Sequence, residues 1–244
     1  MISRQLREAL LAKHAPVRVA KAFRLTENFQ RRDLNDVFDG GVVLESTVVF
    51  VDICGSAKVT ANLVPSEVQA YLNSFYDAVI PEIYRVGGEI DKLIGDGIVA
   101  VFGPPFIEVK DGGLEAALKF ARKVVKQLAY TPLEVKCAVR RGELCFTTVG
   151  NSDYNELTMV GNTLAELHRL EGVSENRAVN VFAGTPEWQS MRAEPTRRVN
   201  PRRVACWSPD VHGVKNLRGV TFDAVYFERW TDPTKGSLFH RLNL

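Results

Sequence analysis

Residues 92–103, KLIGDGIVAVFG, constrain this chain more than any other stretch. Two apolar runs flank Gly95-Asp96-Gly97, which is the chemistry of a tight β-hairpin turn. The acidic residue at the tip, Asp96, is preceded by Lys92. It is echoed by a β-rich run, VVLESTVVFVDI, that starts at Val42 and carries Asp52 at its end. Between the two, PSEVQAYLNSFYDAVIPEIYRVGG places apolar residues at helical spacing. Ser66 after Pro65 marks the expected start of this helix, and Gly87-Gly88 its stop.

The remaining pattern continues the alternation. GGLEAALKFARKVVKQLAY reads as a second amphipathic helix. LEVKCAVRRGELCFTTVG reads as two strands joined near Arg141-Gly142. GNTLAELHRLEG reads as a third helix with Asn162 as its cap. RAVNVFAG predicts a further strand, PEWQSM a short helix, and RRVACW and TFDAVYFERW two strands around HGVKNLRG. The order β-α-β-β-α-β-β-α-β predicts an α+β fold, a ferredoxin-like split βαβ core with helices on one face of a mostly antiparallel sheet.

Composition excludes several classes. Of 244 residues, 45% are hydrophobic and 25% charged, a balance that buries an ordinary globular core. A net charge of +2 gives no reason to expect a nucleic-acid polymer or an anionic membrane as partner. No apolar run approaches the roughly 18 residues that span a bilayer. The opening MISRQLREALLAKHAPVRVAKAF alternates charge too often for a signal peptide and reads as a solvated amphipathic helix. Cys54, Cys137, Cys145 and Cys206 show neither CxxC spacing nor a disulfide framework, so a reduced, cytoplasmic protein is expected.

If the strands that carry Asp52 and Asp96 are neighbours, their carboxylates converge at one end of the sheet. Carboxylates and backbone carbonyls are the oxygen ligands that Mg²⁺ prefers. Taken singly, each Asp has a structural alternative, since Asp in a Gly-Asp-Gly turn also serves local hydrogen bonding.

The pair belongs to a longer pattern. VVFVDICGS, DKLIGDGIVAVFG and TMVGNTLAELHRLEG, in this order, resemble the class III nucleotidyl cyclase catalytic domain. The resemblance covers residues 42 to about 230. It divides the chain into an N-terminal helical or extended segment (1–41), a catalytic domain (42–230) and a tail (231–244). RVGGEID superficially resembles the GG[DE]EF signature of diguanylate cyclases, but there the acidic pair forms the hairpin tip, whereas here the glycines precede the strand.

The resemblance implies conversion of a nucleoside triphosphate to a 3′,5′-cyclic nucleotide and pyrophosphate at a head-to-tail homodimer interface. It implies that Asp52 and Asp96, with the backbone carbonyl of Ile53, ligate two Mg²⁺ or Mn²⁺ ions. Lys92 matches the lysine that contacts the base, and Thr158 its partner position. Arg169 matches the arginine that stabilises transition-state charge. Arg218 stands where a lysine usually holds the triphosphate, and Lys136 where a phosphate-side arginine often sits. Each has a plainer reading: Lys92 as an exposed strand residue, Thr158 as a β-former, Arg169 as a helix residue paired with Glu166 or Glu171. The pattern breaks at Ala165, where the family carries an asparagine one turn before Arg169. Asn162, one turn earlier still, reads as a cap, and His168 as a surface residue.

The base is open on motifs alone. Lys92 donates and Thr158 donates or accepts, which suits adenine and equally the carbonyl oxygens of uracil. Departures at Ala165 and Arg218 are similar to the pyrimidine cyclases of bacterial antiphage (Pycsar-type) systems, which implies UTP or CTP as substrate and a product-sensing effector as partner. An adenylate cyclase is one alternative. A catalytically inactive nucleotide-binding or dimerisation module is the other, motivated by Ala165.

Overall fold

A computed structural model describes residues 41–107, 109–151, 155–193, 205–215 and 217–235. The expected N-terminal helical segment, but for Gly41, lies outside the described residues, as does most of the tail. Strand β1 (Val42–Ile53) leads through a short helix α1 (Ser56–Thr60) into the long helix α2 (Pro65–Arg85). The hairpin β2 (Glu89–Ile94) and β3 (Gly97–Phe102) follows, then helix α3 (Leu114–Leu128). Strands β4 (Val135–Gly150) and β5 (Asn155–Val160) precede helix α4 (Asn162–Glu171), strand β6 (Ala178–Phe182) and helix α5 (Pro186–Ala193). Strands β7 (Cys206–Gly213) and β8 (Ala224–Thr231) close the order.

These form one sheet in the order β2-β3-β1-β4-β6-β8-β7, with β5 paired to β4. Only β4–β6 is parallel; the other pairs are antiparallel. Strand β1 is central and its alternation fills two cores. Val49, Val51 and Ile53 pack with Phe75, Val79 and Ile83 of α2 and with the apolar stripe of α3. Val48 and Phe50 point the other way, into a second cluster with Leu167 and Leu170 of α4. Helices therefore cover both faces, where the sequence predicts one. The reason is α4, whose Leu167 and Leu170 are both fully buried against the face opposite α2 and α3.

Three boundaries differ from expectation. The run read as two strands is one 16-residue strand, β4, passing through Arg141-Gly142 without a turn. Gly142 has another purpose: a Cβ there would lie 2.6 Å from Thr163 Oγ1, so the glycine lets α4 approach the sheet. The chain reverses instead between β4 and β5, which pair from Cys145↔Val160 to Gly150↔Asn155. Helix α2 starts at Pro65 rather than Ser66, with Val64 as cap and the Glu67 carboxylate accepting from the Val64 N–H at 2.9 Å. Helix α4 is capped by Gly161, and Asn162 is its first residue, its amide donating to Glu166 at 2.7 Å.

Candidate active site

Asp52 lies at the end of β1, where its backbone pairs with Gly97 of β3 and with Lys136 of β4. Gly97 is the residue after Asp96, so hairpin geometry brings the tip carboxylate to the end of β1 that bears Asp52. Gly97 itself is required by crowding, since a Cβ there would lie 2.7 Å from the Phe50 ring. Gly95 takes a left-handed turn conformation (φ 59°), which an L side chain adopts only with strain. The tip is tied down from both sides. Tyr76 Oη of α2 donates to the Gly95 carbonyl at 2.5 Å, and Ser56 Oγ of α1 donates to Asp96 Oδ2.

Asp52 shares the face of Phe50 and Val48, and the register places Lys136 beside it. Lys136 Nζ stands 3.4 Å from Asp52 Oδ2 and 2.7 Å from Glu171 Oε1 at the end of α4. Burial pushes the Asp52 carboxyl up to about 6; Lys136 opposes the rise, and the Asp96 and Glu171 charges add to it. Burial alone would lower the Lys136 ammonium, but the Glu171 and Asp52 carboxylates outweigh it and hold it raised. Three carboxylates, Asp52, Asp96 and Glu171, thus gather at one sheet end, with a single lysine pinned between Asp52 and Glu171.

This donor set fits hard divalent cations. Mg²⁺ takes one or two carboxylates and completes its shell with water and substrate phosphates rather than with an all-protein cage. No group of three or more His, Cys, Asp and Glu side chains suited to a metal occurs among the described residues. An Asp52 carboxyl held high by burial and by a neighbouring carboxylate is the electrostatic signature of a place where positive charge is wanted.

Arg169 is half-buried on α4, and its Nη1 donates to the Ala165 carbonyl at 3.1 Å. Its other terminal nitrogen lies against the 217–220 turn, where a Cβ on Gly219 would sit 3.6 Å from Nη2. Arg218, exposed, is in that same turn. The plain pairing of Arg169 with Glu166 or Glu171 does not form. Glu166 binds Arg140 Nε at 2.7 Å, and Glu171 binds Lys136. His168 is exposed and lays its ring edge-on to Phe50, centroids 5.4 Å apart, as a surface residue does.

Thr158 is buried on β5, and its hydroxyl donates to Asp91 Oδ1 at 3.2 Å. Asp91 is the extra residue of a β-bulge on β2, immediately before Lys92, which pairs with Val99. The bulge therefore joins Thr158 to the strand that carries Lys92, four residues before Asp96. Sequence reasoning missed Asp91, Ser56 and the pairing of Glu171 with Lys136. Ser56 directly follows the CG of VVFVDICGS, the one local signal available.

A buried charge network holds α4 in place. Arg140 Nη1 of β4 stands 2.9 Å from Glu187 Oε1 of α5, and its Nε reaches Glu166. Glu187 is fully buried and also accepts from the Arg141 N–H. Arg140 thus ties β4, α4 and α5 together, and with them the orientation of Arg169 and Glu171.

No family model matches the chain. Among curated proteins, an uncharacterized protein of Mycobacterium tuberculosis is 32% identical over 148 residues, 60% of this chain and 27% of that protein. A second uncharacterized protein of the same organism is 29% identical over 146 residues, 59% of this chain and 27% of that protein. The chain therefore spans about a quarter of the length of the curated relatives it matches. Solved structures align over more of it. The adenylyl cyclase CyaB from P. aeruginosa superposes with a TM-score of 0.64 at 18% identity, over 79% of this chain and 96% of that one. The guanylate cyclase domain of RhGC from Catenaria anguillulae, in complex with GTP, superposes with a TM-score of 0.61 at 17% identity, over 77% and 97%. A bacterial light-regulated adenylyl cyclase gives 0.58 at 19% identity, over 83% and 100%. The chain has the fold of adenylyl and guanylyl cyclase catalytic domains.

Proposed function

We propose that this chain is a nucleotidyl cyclase, converting a nucleoside triphosphate to a 3′,5′-cyclic nucleotide and pyrophosphate. The observation that carries the reading is the convergence of Asp52 and Asp96 at one sheet end, on a fold shared with adenylyl and guanylyl cyclases. Asp52, Asp96 and the Ile53 carbonyl would hold two Mg²⁺ or Mn²⁺ ions. When bound, these would supply positive charge beside the phosphates and the attacking 3′-hydroxyl. Ser56 fixes the rotamer of Asp96, and Lys136 holds Asp52 ionised and in place. Arg169, anchored through one nitrogen on the Ala165 carbonyl, keeps the rest of its planar fork for charge that develops on the phosphate. Arg218 in the adjacent turn binds the phosphate tail. Lys92 and Thr158 address the base edge, with Asp91 orienting the Thr158 hydroxyl.

Two copies in head-to-tail arrangement complete each site, Lys92 and Thr158 of one serving the carboxylates of the other. A pyrimidine triphosphate, UTP before CTP, is the substrate, and its cyclic product signals to an effector in antiphage defence. Ala165 and Arg218 support this choice over ATP, because the side chains that purine enzymes place there are absent.

Incubation of the purified chain with Mn²⁺ and each of the four triphosphates, with products separated chromatographically, tests the reaction and the base together. The expected product is cyclic UMP. Cyclic AMP as sole product would replace the base assignment and leave the chemistry standing. No turnover of any triphosphate would leave a nucleotide-binding module, the reading Ala165 motivates. Asp52→Ala and Asp96→Ala should each abolish turnover in a folded protein, and activity retained in either removes the metal assignment. Mixing Asp96→Ala with Arg169→Ala chains should restore activity if two copies share the site.

A further inference from the structure

On the face opposite the carboxylates, α3 and the edge strand β7 flank an open cleft of about 880 Å³. Its wall on α3 is formed by Lys119, Arg122, Lys123 and Lys126, spaced so that one stripe of the helix is cationic. Lys235 and the Trp207 indole close the other side. Two of the cations are spoken for internally: Arg122 meets buried Glu228 at 2.8 Å, and Lys123 meets Glu82 at 2.9 Å. Lys126 stands over the Trp230 ring at 4.7 Å, and Trp230 packs edge-on to Trp207 with centroids 5.3 Å apart. An ammonium on a ring face still directs N–H donors away from that face. Lys119, Lys126 and Lys235 therefore present donors around an indole, with Glu115 the single carboxylate in the lining.

Arg122 and Lys123 already have carboxylate partners in Glu228 and Glu82, which leaves Lys119, Lys126 and Lys235 as the cations that a bound anion would meet. The cleft is open to solvent, and its volume admits a small organic ligand. Cations beside an aromatic ring match a molecule with phosphates at one end and a flat base at the other. We propose that this cleft is a second, non-catalytic site for a nucleoside polyphosphate, the base lying on Trp207 and the phosphates between Lys119, Lys126 and Lys235. It lies across the sheet from Asp52 and Asp96 and needs neither their carboxylates nor a divalent cation. It does not depend on the cyclase reading.

The test is titration of the whole chain with UTP or ATP in chelator, with calorimetry for stoichiometry and tryptophan fluorescence as reporter. One site per chain is expected, with indole quenching. Lys119→Gln/Lys126→Gln, which leaves the ion pairs of Arg122 and Lys123 in place, should weaken binding at least tenfold, whereas Asp52→Asn/Asp96→Asn should not change it. Trp207→Leu, checked for folding by circular dichroism, should weaken nucleotide binding but not binding of tripolyphosphate. Nucleotide binding unchanged in the lysine variant overturns the proposal. Tripolyphosphate binding as tightly as UTP overturns the role of the ring. Capture by anionic phospholipid vesicles, with no saturable nucleotide binding, overturns it in favour of a membrane-facing patch.

Discussion

Asp52 should destabilise the metal-free protein, and replacing it by Asn should show by how much. Its carboxyl stands at about 6 in the folded chain against an ordinary 3.8, with burial the leading cause. The side chain is 19% exposed, so solvent screening takes a share of the effect. A folded-state value above the unfolded one means that the native state binds the extra proton between those two pH values. Stability therefore falls as pH rises through that window and is level above it. The displacement corresponds to about 3 kcal/mol at neutral pH. Asp52→Asn removes the titration while leaving Lys136 its 2.7 Å contact with Glu171. The variant should thus gain about 2–3 kcal/mol at pH 7.5 in chelator, on the order of 5–10 °C in Tm for a domain of this size. The gain should vanish near pH 4, where the wild-type carboxyl already carries its proton. Urea or thermal unfolding at the two pH values reads this directly. Adding Mn²⁺ should narrow the gap at pH 7.5, because only the wild type keeps the carboxylate that binds it. An Asn variant less stable than wild type at pH 7.5, or a gain that persists unchanged at pH 4, would refute the electrostatic account.

Glu187→Leu should cost about 3–5 kcal/mol in urea unfolding, because it removes one of the two carboxylates that hold half-buried Arg140. Stability equal to wild type would mean that Glu166 suffices alone. Gly142→Ala should cost about 1–3 kcal/mol by driving a methyl into Thr163, and Thr163→Ala in the same chain should recover part of it. Strictly additive losses would contradict the close contact. Thr158→Val deprives Asp91 of a donor inside the protein and should cost about 1–2 kcal/mol. If turnover is found, the same change should shift the ratio of rates between triphosphates more than it lowers the best rate.

The parts of this fold that local chemistry dictates were legible from residues alone. A Gly-Asp-Gly tip between apolar runs has few options other than a hairpin, and it lies where expected, beside the strand that carries Asp52 near its end. Arg141-Gly142 misled because glycine has two uses. In sequence it reads as a turn residue, whereas in the fold it admits Thr163 of a helix distant in sequence. The five-residue α1 is too short to show a helical period, yet it supplies Ser56 to Asp96. Asn162 is a residue type that caps helices, but half-buried Arg140 recruits Glu166, and Glu166 in turn draws the Asn162 amide. By resemblance Lys136 stands at a phosphate-side position, and its pairing with Asp52 and Glu171 depends on a β1–β4 register and on an α4 placement that no local pattern encodes. Through-space partners of this kind, Asp91 with Thr158 among them, are invisible until the sheet is assembled.

Strand β4 is one unbroken beam. Lys136, beside Asp52, stands near one end of it, and Thr147, the register partner of Thr158, near the other. No loop interrupts the span, and a strand cannot slip by one position without turning every side chain over. Whatever tugs the β4–β5 tip is therefore felt along the same rigid member that props the lysine against Asp52. The two ends can be retuned by substitution, but neither can be repositioned alone.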